Sequence, residues 1–424
     1  MIQYDFPVLS PGCGITSVCS AHPLVIEAAL LEARAGGRSV LIEATCNQVH
    51  HLGGYTGMTP ADFKRFVHAI AARVGFQADR ILLGGDHLGP NPWKSMPAAE
   101  AMAEAATMVR AYVQAGFTKL HLDTSMGCQG ETVALGNETT AARAAELARV
   151  AEQAAAESGL QPPRYVIGTE VPVPGGAFEE IAELDVTAPA AALETVRVHR
   201  DAFIAAGLEA AFARVVAIVV QPGVEFGHAN VVVYDRDRGR ALSRVLAQMP
   251  GLVFEAHSTD YQPAAALEQL VQDGFAILKV GPGLTFALRE ALYGLDAIAR
   301  LLLPTYADGG RGLREVMEAL LQAEPAHWQS YYHGDAAQLM LQRHFSYSDR
   351  IRYYWSHPEA SAAVERLFVM LESIDIPETL VSQHLAPVYP QVLAGSVPPS
   401  PRELCVAAVR HSLSPYSRAT RGAA

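Results

Sequence analysis

The stretch Arg80–Asn91, RILLGGDHLGPN, reads as a short apolar strand that stops on an Asp-His pair and breaks into a Gly-Pro turn. An Ala-rich stretch with helical spacing, Ala98–Ala115, follows it. A buried parallel strand has this form: a few strand-forming residues bounded by turn residues, then a helix that carries the chain back. The unit recurs on both sides. Counting outward gives eight such runs, Gly14–Cys19, Ser39–Thr45, Arg80–Gly85, Thr118–Leu122, Arg164–Thr169, Arg214–Val220, Leu252–Ala256 and Phe275–Val280. Helices are expected at Pro23–Ala35, Pro60–Val74, Ala98–Ala115, Thr139–Ser158, Ala190–Gly207, Arg238–Gln248 and Pro263–Asp273. Alternation of this kind implies a parallel sheet with crossover helices, and eight strands favour a closed barrel over an open doubly wound sheet. The expected fold class is α/β, a (β/α)8 TIM barrel over residues 1–300. Residues 301–424 lack the alternation and read as a C-terminal helical extension with Pro-rich interruptions.

The 424 residues are 50% hydrophobic and 18% charged, an ordinary globular composition with material for a large core. Five cysteines without CxxC spacing argue against a disulfide framework or a zinc knuckle, so a reducing, cytoplasmic location is expected. No basic segment leads into an apolar one near Met1, and no apolar run approaches membrane-spanning length. Neither secretion nor membrane insertion is expected. A net charge of −12 would repel a polyanion, so nucleic acid is not an expected partner and any phosphate must be met locally.

Polar or ionisable residues sit at the end of nearly every run: His22, Glu43, Asn47, Asp86, His87, His121, Asp123, Glu170, Gln221, Glu255, His257 and Lys279. In a barrel these strand ends meet on one face, where active sites of this architecture lie. A single strand-end histidine is more often structural; the shared face is what gives the group meaning. His87, Glu170 and His257 come from alternate strands and suit a divalent metal ion such as zinc or manganese. Asp86 beside His87 is a candidate acid/base, with Asp123 and Glu43 as further carboxylates for proton transfer to sugar hydroxyls. The glycines of LKVGPGLTF, Gly281 among them, could cradle a phosphate or form a tight turn into a helix. No GxGxxG opens a helix after a first strand and no GxxxxGK[ST] occurs, so neither dinucleotide nor ATP binding is indicated.

The segments ITSVCSAHPLVIEAAL, LIEATCNQVHHLGGYTGMTPADF, GGDHLGPN, VIGTEVPVPGG, VVQPGVEF, FEAHSTDYQ, LKVGPGLTFALREA and SDRIRYYW, taken in order, resemble the GatZ/KbaZ family. That family is known as the non-catalytic subunit of class II D-tagatose-1,6-bisphosphate aldolase, and its members also as D-tagatose-6-phosphate 4-epimerases. More distantly the motifs are similar to catalytic class II aldolases. On that pattern Asp86 matches the catalytic Asp, His87 and His257 match zinc ligands, and Glu170 stands where the aldolases have their remaining ligand His. The glycines that help those aldolases bind a C1 phosphate are replaced here by Ser258, Thr259 and Asp260. An Asp there would oppose a C1 phosphate, which points to a ketohexose phosphorylated only on C6.

The resemblance therefore implies 4-epimerisation of D-tagatose 6-phosphate to D-fructose 6-phosphate, in galactitol and tagatose catabolism. The C4 hydrogen of a 2-ketose is not acidic, so inversion needs transient oxidation or cleavage of C3–C4. Without a nicotinamide fingerprint, retro-aldol cleavage, rotation of the aldehyde and re-addition is the expected route. Asp86 would take the O4 proton, and Asp123, with Glu43 behind it, would serve the opposite face. Gln221, Ser258, Lys279 and Gly281 are expected to contact substrate, and Arg350 and Arg352 of SYSDRIRYYW to meet the C6 phosphate. The alternative is a binding subunit that stabilises a separate class II aldolase without chemistry of its own. Expected partners are the phosphorylated ketohexose, such an aldolase subunit and further copies of the chain.

Overall fold

In the computed structural model, which describes residues 7–169, 184–303, 306 and 311–421, all eight runs form strands of one closed parallel barrel. The strands are β1 (Ile15–Cys19), β2 (Val40–Thr45), β3 (Ile81–Leu88), β4 (Lys119–Leu122), β5 (Arg164–Ile167) and β6 (Val215–Val220). Next come β7 (Glu225–Phe226) and β8 (Val231–Val232), a small antiparallel ribbon outside the barrel, and then β9 (Val253–Ala256) and β10 (Ile277–Val280). Barrel order is β1-β10-β9-β6-β5-β4-β3-β2. The ribbon was not expected, because two-residue strands leave no periodicity to read.

Each expected helix forms with only its ends displaced, as in Asn137–Glu157 and Arg236–Val245. Proline opens the helices Pro23–Ala35, Pro60–Arg73 and Pro282–Leu302, where its missing N–H would have had no partner in any case. Thr59 and Asp62 add a reciprocal capping box to the second of these.

Inside the barrel the side chains form tiers. The floor is apolar, built from Ile15, Leu41, Leu82, Val166, Ala217, Val253 and Ile277. One tier higher the alternation of strand side chains places Ser17, Glu43, Lys119, Glu255 and Lys279, all buried. Register explains the company they keep: Ser17 pairs with Lys279, Glu43 with Gly84, and Gly84 with Lys119. A Cβ on Gly84 would collide with the Glu43 carboxylate, so glycine is what lets Glu43 lie across the barrel.

Beyond residue 301 the chain wraps the outside. The final helix Pro401–Ala419 packs against the helices Pro23–Ala35, Ala264–Gln272 and Pro282–Leu302. Its Leu404, Cys405, Val409 and Leu413 join the same apolar cluster as Ile26, Leu30, Leu288 and Leu292. Burial of each such leucine contributes about 2 kcal/mol. The Tyr416 hydroxyl also donates to the Thr259 carbonyl at 2.5 Å, tying the last helix to the loop after β9. Ser346–Trp355 crosses the barrel mouth with a short 3-10 turn, Arg350–Tyr354, and the Tyr261 hydroxyl anchors it by donating to the Tyr347 carbonyl at 2.7 Å. Among the described residues no helix is long and apolar enough to cross a membrane.

Candidate active site

The ionic tier is the base on which the site stands. Lys119 lies 2.7 Å from both Glu43 and Glu255, and Lys279 lies 2.6 Å from Glu43, 2.5 Å from Asp86 and 3.5 Å from Glu255. Burial pushes both lysines down, but the surrounding carboxylates outweigh it and hold them above the ordinary lysine value. They remain ammonium groups. The same exchange holds Glu255 well below the usual carboxylate range, against the pull of its own burial.

Above this tier, at the mouth, Asp86, His87, His121 and His257 bring one ligand atom each to within 4.8 Å of one another, and all four are buried. His87 Nδ1 is 2.7 Å from Asp123 Oδ2, which orients the ring and leaves Nε2 for the cluster. His257 Nε2 is 2.9 Å from Glu255 Oε1, and burial lowers this imidazole to about 3, so it is neutral at physiological pH. His121 Nδ1 is 2.9 Å from Asp86 Oδ1, while its buried Nε2 has no hydrogen-bond partner among the described residues. Burial pushes Asp86 up, but His87 and Lys279 outweigh it and keep the carboxyl well below its ordinary value. His87 is held above its ordinary value, since Asp86 and Asp123 outweigh the burial that lowers it. Backbone strain concentrates here too: His87 and Ser258 adopt φ of 50° and 53°, a region non-glycine residues avoid unless the fold imposes it.

These residues fit a divalent cation. Ligation requires unprotonated imidazoles, and in that state the carboxylates of Glu43, Asp86, Asp123 and Glu255 are balanced, among the described residues, by the ammonium groups of Lys119 and Lys279. Two negative charges are left over in a buried space, together with an orphaned imidazole nitrogen, and a doubly charged ion satisfies both.

Not every expected residue joins them. Glu170 lies outside the described residues. His87 and His257 come together as expected, with His121 as a further candidate ligand that the sequence reading had left unassigned. Glu43 and Asp123 do not line the cavity: both Glu43 oxygens are bound by Lys119, Lys279 and Ser17, and both Asp123 oxygens by His87 and Ser125. Gln221 accepts from the Gly223 and Val224 N–H groups at 2.8 and 2.9 Å, and so shapes its own turn. Ser258, Lys279, Gly281 and Arg352 line the cavity with Asp86, His87 and His257. Arg350 does not: its Nε donates to the His327 carbonyl and its guanidinium lies 3.3 Å from the centre of the Tyr331 ring.

The glycine cradle is filled from within. Asp260 Oδ1 accepts the Gly281 and Gly283 N–H groups at 2.9 and 2.7 Å, at the start of the helix Pro282–Leu302. Burial pushes this carboxyl up to about 6 despite the two donors. A second cavity adjoins the first, sharing Cys19, Gln48, Tyr55, Gly281 and Arg352 with it. It also holds Arg402 and the buried Trp355, whose Nε1 has no hydrogen-bond partner among the described residues.

Comparison with known proteins shows the family of the chain. The family described as D-tagatose-1,6-bisphosphate aldolase subunit GatZ/KbaZ-like matches residues 10–421. A D-tagatose 6-phosphate 4-epimerase of Agrobacterium fabrum (strain C58 / ATCC 33970) is 57% identical over 407 residues, covering 96% of this chain and 95% of that protein. The crystal structure of a probable tagatose 6 phosphate kinase from Sinorhizobium meliloti 1021 is 62% identical, with a TM-score of 0.89 over 96% of this chain and 100% of that one. A barrel whose strand ends gather three histidines and an aspartate, matched over nearly its whole length, thus belongs to the GatZ/KbaZ-like family.

Proposed function

We propose that this protein is a sugar-phosphate 4-epimerase that interconverts D-tagatose 6-phosphate and D-fructose 6-phosphate by retro-aldol cleavage and re-addition. The observation that carries the reading is the buried Asp86/His87/His121/His257 set, of which Asp86, His87 and His257 line a cavity, in a chain 57% identical to a protein bearing that activity's name. His87, His121 and His257 would hold a divalent ion, zinc or manganese by the character of the donors, with Asp86 beside them left free as a base, and the ion would supply Lewis acidity toward the C2 and C3 oxygens.

Asp86 stays ionised and faces the cavity, so it can take the proton of O4 as C3–C4 breaks into a C3 enediolate and an aldehyde. Lys279, held as an ammonium 2.5 Å away, keeps that carboxylate in place. The C6 phosphate extends into the adjoining cavity, where Arg352, Arg402 and the Trp355 N–H, which has no partner among the described residues, provide donors. The carboxylate of Asp260 already fills the backbone cradle, which favours a substrate with one phosphate. A kinase reading lacks support, because no nucleotide-binding glycine loop is present in the sequence. Five unpaired cysteines suit work in the cytoplasm.

The test is carbon-13 NMR of D-tagatose 6-phosphate mixed with the pure protein and a divalent metal. D-fructose 6-phosphate should appear without any partner. Inactivity with zinc, manganese, magnesium and cobalt, combined with stabilisation of a co-expressed class II aldolase, would overturn the reading in favour of a binding subunit.

A further inference from the structure

Epimerisation by cleavage and re-addition needs two proton-transfer groups, because the C4 oxygen points to opposite sides in the two epimers. Asp86 provides one. Among the described residues the other carboxylates near the metal-binding set have partners: Glu43 two lysines and a serine, Asp123 His87 and Ser125, Glu255 two lysines and His257, and Asp260 the Gly281 and Gly283 N–H groups. That directs attention to the wall of the cavity away from the strand ends.

Tyr353 stands there. It lines the same cavity as Asp86, His87 and His257, but on the segment that crosses the barrel mouth rather than on a strand end. Its hydroxyl accepts from Arg352 Nη2 at 2.9 Å, and the guanidinium carbons of Arg352 and Arg350 lie 4.4 and 5.0 Å from its ring centre. The Tyr55 ring packs edge-on at 4.8 Å and His327 stacks at 5.0 Å, which fixes the phenol's position. We propose that Tyr353 is the second acid/base of the reaction, donating its phenolic proton to the C4 oxygen on the face opposite Asp86.

The electrostatics agree. Burial pushes the Tyr353 phenol up, but Arg352 and Arg350 outweigh it and bring it below the ordinary tyrosine value. Other buried tyrosines, such as Tyr55, pushed up to about 12, and Tyr293, also pushed up by burial, move the other way. Two arginines thus stabilise a phenolate, and this gives Arg350, which does not reach the cavity, a role through Tyr353. The proton balance closes as follows. At cleavage of one epimer Asp86 takes the O4 proton and the C3–C4 electron pair moves into the enediolate. At re-addition that pair forms the new C3–C4 bond while Tyr353 gives its proton to the C4 oxygen. Exchange with water then removes the proton from Asp86 and restores the one on Tyr353. The reverse reaction uses Tyr353 as base and Asp86 as acid.

This inference rests on the epimerase reading, and the test separates the two. Each epimer is given separately to the metal-loaded enzyme, and glyceraldehyde 3-phosphate escaping from the cavity is trapped by a coupled dehydrogenase. Wild-type enzyme should convert both epimers and release traces of the fragment from each; no conversion by wild type would sink the epimerase reading itself. Tyr353→Phe should lose epimerisation by about a hundredfold or more, keep KM within a few fold, and release fragment from only one epimer. As a shape-preserving second probe, 3,5-difluorotyrosine at position 353 should move the alkaline limb of kcat toward lower pH. The groups facing that phenol are Tyr55, His327, Arg350 and Arg352, and none of them is altered by the change. Near-normal turnover in Tyr353→Phe, equal loss of cleavage from both epimers, or an unmoved limb would each overturn the assignment.

Discussion

His121 Nδ1 lies 2.9 Å from Asp86 Oδ1 on the neighbouring strand, and the other ring nitrogen of His121 is buried with no partner among the described residues. An imidazole fixed on one side and left open on the other is the arrangement of a metal ligand. His121→Ala, His87→Ala and His257→Ala should therefore each lower bound zinc or manganese, measured by elemental analysis, along with activity. Asp86→Asn should cost turnover by about a hundredfold or more through loss of the base. Full metal occupancy in His121→Ala would remove it from the ligand set.

The Lys119 ammonium is fully buried between Glu43 and Glu255. Removing one partner of such a group strands the others in a dry interior, so Lys119→Met should destabilise the fold by about 3–5 kcal/mol. The melting temperature would report it. Adding Glu255→Gln should recover part of the loss, since it removes one stranded charge; a double variant less stable than Lys119→Met would contradict the pairing.

Asp260 occupies two backbone donors that would otherwise suit an anion. In Asp260→Gly those donors open to the cavity. Inhibition by inorganic phosphate or by D-tagatose 1,6-bisphosphate should then tighten about tenfold, or about 1.4 kcal/mol. An inhibition constant equal to that of wild type would show that the carboxylate does not exclude a second phosphate.

His199, on the helix Pro189–Ala205, is fully buried with Nδ1 2.8 Å from the Thr195 carbonyl oxygen, and burial lowers its imidazole to about 4. The native state favours the neutral ring while the unfolded chain takes up a proton near its ordinary value of about 6.5. Stability from this group is thus complete above about pH 6.5 and is lost as pH falls toward 4, by up to about 3 kcal/mol. Thermal melts of wild type across that window should fall more steeply than those of His199→Leu. Parallel curves would rule the residue out as a source of acid sensitivity.

The barrel was legible because each strand is a short apolar run with a helix behind it, and every run named from the sequence forms a strand. The ligand set was only partly legible. In KLHLD, residues 119–123, the two-residue alternation that buries Lys119 also turns His121 and Asp123 to the interior, and following that parity would have added His121 to the histidines. What alternation could not reveal is which carboxylates are already paired. Glu43 meets Lys279 across 236 positions, a distance in sequence that no local pattern spans. Tyr353 was hidden for a related reason: its chemistry comes from a segment whose position over the mouth is set by Tyr261 and Thr285, which hold its Tyr347 and Asp349 from far along the chain.

The last helix of the chain grips the loop that follows β9, through Tyr416 and Thr259, and lies against the first helix, Pro23–Ala35. During synthesis the strands that carry His87, His121 and His257 emerge from the ribosome well before Pro401–Ala419 does. The loop between His257 and Asp260 is held from two sides, by Lys279, Gly281 and Gly283 within the barrel and by Tyr416 from the outer helix. Folding of the barrel strands can therefore gather the reactive side chains before the part of the pocket wall that Tyr416 braces is in place.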